Sequence, residues 1–160
     1  MQLLAERWVL TLALSEGECP YPTPLFYVLI EPDTVGDHAA PVLVFASSPT
    51  SHHSALIGTG PRPAAAAVYL ETEAVAELRG AQLRGVLVRE DQLAESARAC
   101  IRRAYLARFP VAEGPLSSAA HQLYALTLTW AKLTDNRVRF GFHQVARFDG
   151  AWSEVKPSQV

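Results

Sequence analysis

The sequence predicts an α+β fold that is mainly β: a small antiparallel barrel of six to seven strands, with one long helix and one or two short ones. Three observations predict it. The apolar stretches are strand-sized and separated by breaks rich in Pro, Gly and Asp. Only the segment from Leu93 to Phe109 sustains helical three- and four-residue apolar spacing. Strands and helices do not alternate regularly and no repeat is visible, so a sheet closing on itself is favoured over a doubly wound layer.

Met1 to Arg7 suits a short helical turn. Trp8 to Leu14 reads as a buried strand that stops in the polar Ser15-Glu-Gly-Glu18. Cys19 to Pro24 holds three prolines, whose missing N–H groups keep it out of a central ladder. It is an edge or turn leading into the strand Leu25 to Ile30, which makes a first hairpin. Glu31 to Pro41 reads as a loop, and Val42 to Ala46 as the third strand. The hydroxyls of Ser47-Ser-Pro-Thr-Ser51 can cap a short helix through His52, Ala55, Leu56 and Ile57 that ends at Gly58.

Ala64 to Leu70 is ambiguous, because alanine favours helix while Val68 and Tyr69 favour strand; it is assigned as the fourth strand. In Arg79 to Arg89, Ala81, Leu83 and Leu87 alternate with Gln82, Arg84, Val86 and Val88, the pattern of a fifth strand. The long helix carries Leu93, Ala97, Cys100, Ile101, Ala104, Tyr105 and Phe109 on one stripe and is stopped by Pro110. Acidic residues near its start and arginines near its end suit the helix dipole. Leu123 to Leu133 and Val138 to Phe148, joined at Thr134-Asp-Asn136, form a closing hairpin, and Glu113 to Ala120 is read as a loop.

Composition narrows the function classes. At 160 residues, against about 100 to 200 per domain, residues 1–160 form one domain able to bury a substantial core. A hydrophobic fraction of 49% with net charge −2 is that of a globular chain. No basic surface is indicated, so neither nucleic acid nor membrane is an expected partner. Two cysteines, Cys19 and Cys100, cannot build a disulfide framework, which fits a reducing compartment. With no membrane-length apolar stretch and no signal-peptide pattern, a cytoplasmic location is expected.

Most catalytic signatures are absent. Gly58-Thr-Gly60 is followed by Pro61 and reads as a helix stop, not a dinucleotide fingerprint. His52 and His53, adjacent on a helix, point about 100 degrees apart and do not chelate one ion, so no metal site is expected. Cys100 reads as a small core residue, and Glu71 with Glu73 as a solvated loop. One positive signal remains. Phe45-Ala-Ser-Ser-Pro-Thr-Ser-His52 places four hydroxyls and an imidazole where a strand passes into a helix. That combination suits a phosphate dianion, although from the chemistry of the residues alone an ordinary Ser/Thr cap is the favoured reading.

Several segments, in this order, resemble the FMN-binding split-barrel superfamily typified by pyridoxamine 5′-phosphate oxidase, and more closely a small bacterial subfamily of it. Pro20-Tyr-Pro-Thr-Pro-Leu-Phe-Tyr27 resembles the family's second strand, Thr50-Ser-His52 its phosphate-binding segment, and Arg79-Gly-Ala-Gln-Leu-Arg-Gly85 the strand with a characteristic glycine. Ala104 to Ala112 resembles the subfamily's helix end, and Lys132-Leu-Thr-Asp-Asn136 with Phe140-Gly141 its closing hairpin. The resemblance implies a small antiparallel split β-barrel and a homodimer holding FMN at the subunit interface. It implies that Thr50, Ser51 and His52 meet the phosphate, with His52 where such proteins usually carry Lys or Arg. It further implies that Phe45 and Ala46 lie near the cofactor and that Gln82 can reach it from a neighbouring strand.

The function expected is therefore FMN binding, with flavin-dependent oxidoreductase activity on an unnamed small molecule, since a flavin carries the redox step and needs few conventional acid or base groups. The alternative is a non-catalytic binding module of the same fold for flavin, haem or a small phosphorylated metabolite, with His52 or His53 as a conceivable haem ligand.

Overall fold

A computed structural model describes residues 1–32 and 40–148, together with the backbone of 152–154. The expected loop from Glu31 to Pro41 lies mostly outside the described residues. The elements are α1 (Gln2–Glu6), β1 (Val9–Glu16), β2 (Cys19–Ile30), β3 (Val42–Ser47), α2 (His52–Ile57), β4 (Arg62–Tyr69), β5 (Arg79–Arg89), α3 (Glu95–Arg108), α4 (Glu113–Ser117), β6 (Gln122–Asp135), β7 (His143–Phe148) and β8 (Trp152–Glu154). Single 3₁₀ turns cover Val75–Glu77, Glu90–Gln92 and Pro110–Ala112.

The strands pair antiparallel in the order β3-β2-β1-β4-β5-β6, and a further β3–β6 pairing closes them into a six-strand barrel. β7 and β8 continue the sheet beyond β6. The expected small antiparallel barrel with one long helix is the fold observed.

The alternating side chains of β3 explain why its sequence is an unbroken apolar run. Leu43 and Phe45 point into the barrel with Leu10, Leu12, Tyr27 and Leu126, whereas Val42 and Val44 pack outward against Ile101 and Tyr105 of α3. β3 is thus buried on both faces. The prolines of β2 sit opposite Ser15, Ala13 and Thr11 of β1, in the half of β2 that β3 does not reach. Their missing N–H groups therefore interrupt no second ladder.

Gly85 marks a close approach. The β5–β6 register shifts between Arg84, opposite Trp130, and Gly85, opposite Leu128. A Cβ at Gly85 would lie 2.2 Å from the Thr127 carbonyl oxygen, so only glycine fits. α1 covers one end of the barrel with Leu3 and Leu4, and the buried Tyr27 hydroxyl donates to the Leu4 carbonyl at 2.6 Å. Arg108 of α3 secures the same end: its guanidinium lies 4.1 Å from the Trp8 ring centroid and donates to the carbonyls of Ala5 and Arg7.

Several boundaries differ from expectation. Glu113–Ser117, read as loop, is a short helix beginning directly after a 3₁₀ turn. β7 starts at His143 instead of Val138, because Asn136 accepts from the Gly141 N–H and holds the intervening residues in a turn. Cys100 is half-buried rather than in the core, and Cys19 is exposed. Among the described residues, no helix is long and apolar enough to cross a membrane, and no cluster of His, Cys, Asp or Glu could hold a metal ion.

Candidate functional site

The chain leaves the barrel at Ser47 and re-enters regular structure at α2. Ser51 caps that helix: its Oγ accepts from the Ser54 N–H at 3.3 Å and donates to Ser54 Oγ at 2.8 Å. Beneath it, Ser47 Oγ lies 2.6 Å and Ser51 Oγ 3.2 Å from His53 Nε2, and the two hydroxyls are 3.1 Å apart. His53 is 8% exposed. Burial, with a smaller contribution from His52, pushes its pKa down. Burial thus favours the neutral ring, and the tautomer decides which of Nε2 and the Ser47 hydroxyl donates. Two of the four hydroxyls are spent on this internal network.

The other two, with His52, face outward. Ser48 Oγ and Thr50 Oγ1 are 2.9 Å apart at the exposed tip of the turn. His52 Nε2 lies 2.9 Å from Oε1 of Glu16, at the end of β1, both side chains being about half exposed. The edge of the His52 ring meets Tyr21 at a centroid distance of 4.8 Å. The two adjacent histidines thus part as helical geometry requires, one inward and one outward.

The remaining expected site residues separate. Phe45 is wholly buried inside the barrel, its ring stacked on Tyr124 at 5.3 Å. Ala46, on the opposite face of β3, lines a groove of about 350 Å³. β2 contributes Pro24, Leu25 and Phe26 to this groove, α3 contributes Tyr105, and Val111 and His121 complete its rim. Thr50, Ser51 and His52 follow Ala46 within six residues, so these four share one end of the barrel. Gln82 lies apart from them: it faces Ala67 of β4, which faces Thr11 of β1, which faces Pro24 on the groove, so three strand-to-strand steps of about 4.8 Å separate it from the groove's edge. Gln82 lines a separate depression of about 280 Å³ with Thr11, Ala13, Ala65, Ala67, Arg84 and Trp130.

Sequence reasoning missed Phe26, Tyr105 and His121. Tyr105 was visible only as a member of an apolar stripe. His121 comes directly after the Glu113–Ala120 segment read as loop and was assigned to no element, and its Nδ1 is buried without a hydrogen-bond partner among the described residues. The groove is mostly apolar with two polar ring systems, and its size is at the lower end of the roughly 300 to 1,000 Å³ of small-molecule sites. For a phosphate the outward donors are few: Ser48, Thr50 and a His52 that already holds a carboxylate.

No family model matches the chain, and no curated protein does. Solved structures do. A haem-binding protein from Mycobacterium smegmatis superposes with TM-score 0.70 at 18% identity, covering 92% of this chain and 56% of that one, so the chain spans little more than half of that protein. An FAD-binding protein from Mesorhizobium loti gives 0.58 at 17% identity, covering 81% and 87%. HutZ, the haem storage protein from Vibrio cholerae, gives 0.61 at 12%, covering 79% and 85%. At these identities the likeness establishes the shared fold.

Proposed function

We propose that this chain is a flavin-binding protein of the pyridoxamine 5′-phosphate oxidase-like split-barrel type, acting as a flavin-dependent oxidoreductase on a small molecule. The observation that carries the reading is the groove beside Ala46, which opens where β3 leads into the Ser48–His52 turn. Solved structures of the same fold that bind flavin support it. Phe26 and Tyr105 would bury the ring system and exclude water from one side. Ser48, Thr50 and His52 would face the ribityl end, with FMN the form that the sequence resemblance implies. A bound flavin supplies the electron or hydride transfer.

A homodimer belongs to this reading. The outward face of β1 and β4 carries Thr11, Ala13, Ala65 and Ala67, small side chains where a solvated strand would carry polar ones. Trp130 and Gln82 border it. Gln82 lines a depression of its own beside these residues, and in this reading it meets the cofactor across the subunit interface.

The test is spectroscopic. Purified protein keeps a visible flavin absorption band through desalting, or added FMN raises the melting temperature by mass action. If FMN, FAD and riboflavin in excess neither bind nor stabilise, the reading is wrong. A haem reading has one observation of its own, the His121 imidazole on the groove wall with an unpartnered Nδ1. It requires a Soret band that His121→Ala removes.

A further inference from the structure

We propose that Glu16 is a specificity-determining residue of this site: its carboxylate, seated on His52, competes with the phosphate of a ligand and biases the chain towards flavins that lack a terminal phosphate. The inference rests on the flavin reading above. It starts from an arrangement that the order of the chain does not announce, since Glu16 and His52 come from the end of β1 and the start of α2.

His52 is the only cationic-capable group among the outward donors of the Ser48–His52 turn, because His53 is buried, neutral and bound to two serine hydroxyls. That one group is held by Glu16 Oε1 at 2.9 Å and braced by the Tyr21 ring. No other ion pair to Glu16 or His52 is seen among the described residues. A phosphate that uses His52 therefore contends with the carboxylate already on it. It must either displace Glu16, losing the His52–Glu16 pair, or sit beside an uncompensated negative charge.

Both costs fall on the phosphate and neither on the ring. The ring lies in the groove beside Ala46, whose lining residues carry no carboxylate. A single negative charge next to a phosphate of charge about −1.5 to −2, in largely water-like surroundings, amounts to on the order of tenfold in affinity. Glu16 thus acts on FMN and leaves riboflavin nearly untouched.

Glu16→Gln keeps the shape of the side chain and a hydrogen bond to His52 while removing the charge, and both residues are exposed enough that the fold tolerates it. Dissociation constants of FMN and riboflavin are measured on the full chain and on Glu16→Gln, and inorganic phosphate is titrated while the His52 ring resonances are followed by NMR. The expected result is FMN binding tightened by about tenfold in Glu16→Gln with riboflavin changed by less than about twofold, and a His52 response at lower phosphate concentration. An FMN-to-riboflavin ratio equal in the two proteins overturns the proposal. If neither flavin binds either protein, the flavin reading itself fails. The phosphate titration then decides alone, and an equal His52 response in both proteins overturns the role of Glu16.

Discussion

The Ser47 hydroxyl lies 2.6 Å from His53 Nε2, and the pair is buried at the point where β3 ends. Neutral imidazole can take either role in that hydrogen bond, whereas imidazolium can only donate. Burial lowers the His53 pKa from its ordinary 6.5. In the unfolded chain the ring takes up a proton as pH falls through that ordinary value, while in the folded chain it resists until a lower pH. Stability is full above about pH 6.5 and declines as pH drops below it towards the depressed folded value. The melting temperature measured from pH 8 to about pH 5 should show this decline, and His53→Gln should flatten it. A wild-type curve level across that window removes His53 from this role.

Gly85→Ala should be among the most damaging single substitutions in the chain. The added Cβ would meet the Thr127 carbonyl at 2.2 Å, backbone against backbone, at the bulge that lets β5 and β6 curve. A loss of about 3 kcal/mol or more is expected in urea denaturation. A loss below about 1 kcal/mol would mean that the two strands part more easily than their register implies.

Neighbours on β3 should behave oppositely. Phe45→Ala removes a ring stacked inside the barrel and should cost about 3 to 5 kcal/mol, with little change in flavin affinity of the molecules that remain folded. Ala46→Leu fills part of the groove and should weaken flavin binding by about tenfold or more while leaving the barrel interior intact. Denaturation and binding titrations on both variants separate the two faces of the strand.

Trp130→Glu tests the dimer. Arg84 lies 4.9 Å from the Trp130 ring centroid, at the border of the alanine-lined face. In sedimentation the parent chain should run at twice its own mass and the variant as a monomer. A parent chain that is monomeric at every concentration rules the interface out.

Local patterns revealed the strands, α3 and the cap of α2, because period two, period 3.6 and Ser/Thr before a helix act over a few residues. The divergence of His52 and His53 follows from the same arithmetic. α4 was hidden because Gly114 and Pro115 carry poor helix propensity, overridden here by Leu116 packing into the cluster beneath α3. The site was legible only where it is continuous in sequence, from Ala46 to His52. Glu16 on His52, and Phe26 and His121 around one groove, depend on which strands become neighbours. Gln82 was expected near the cofactor, and the structure seats it in a depression of its own with Thr11, Ala13 and Trp130.

The pairing of β3 with β6 also bears on how the chain folds. Ser47 meets Gln122 and Val42 meets Thr127, partners roughly 80 residues apart in sequence, so a long loop must be closed before this seam gains anything. Until then β3 exposes an apolar edge and two apolar faces, the part of the chain most open to misassociation. During synthesis the first five strands emerge before β6 can dock, so the nascent chain is most vulnerable until β6 closes the seam with β3.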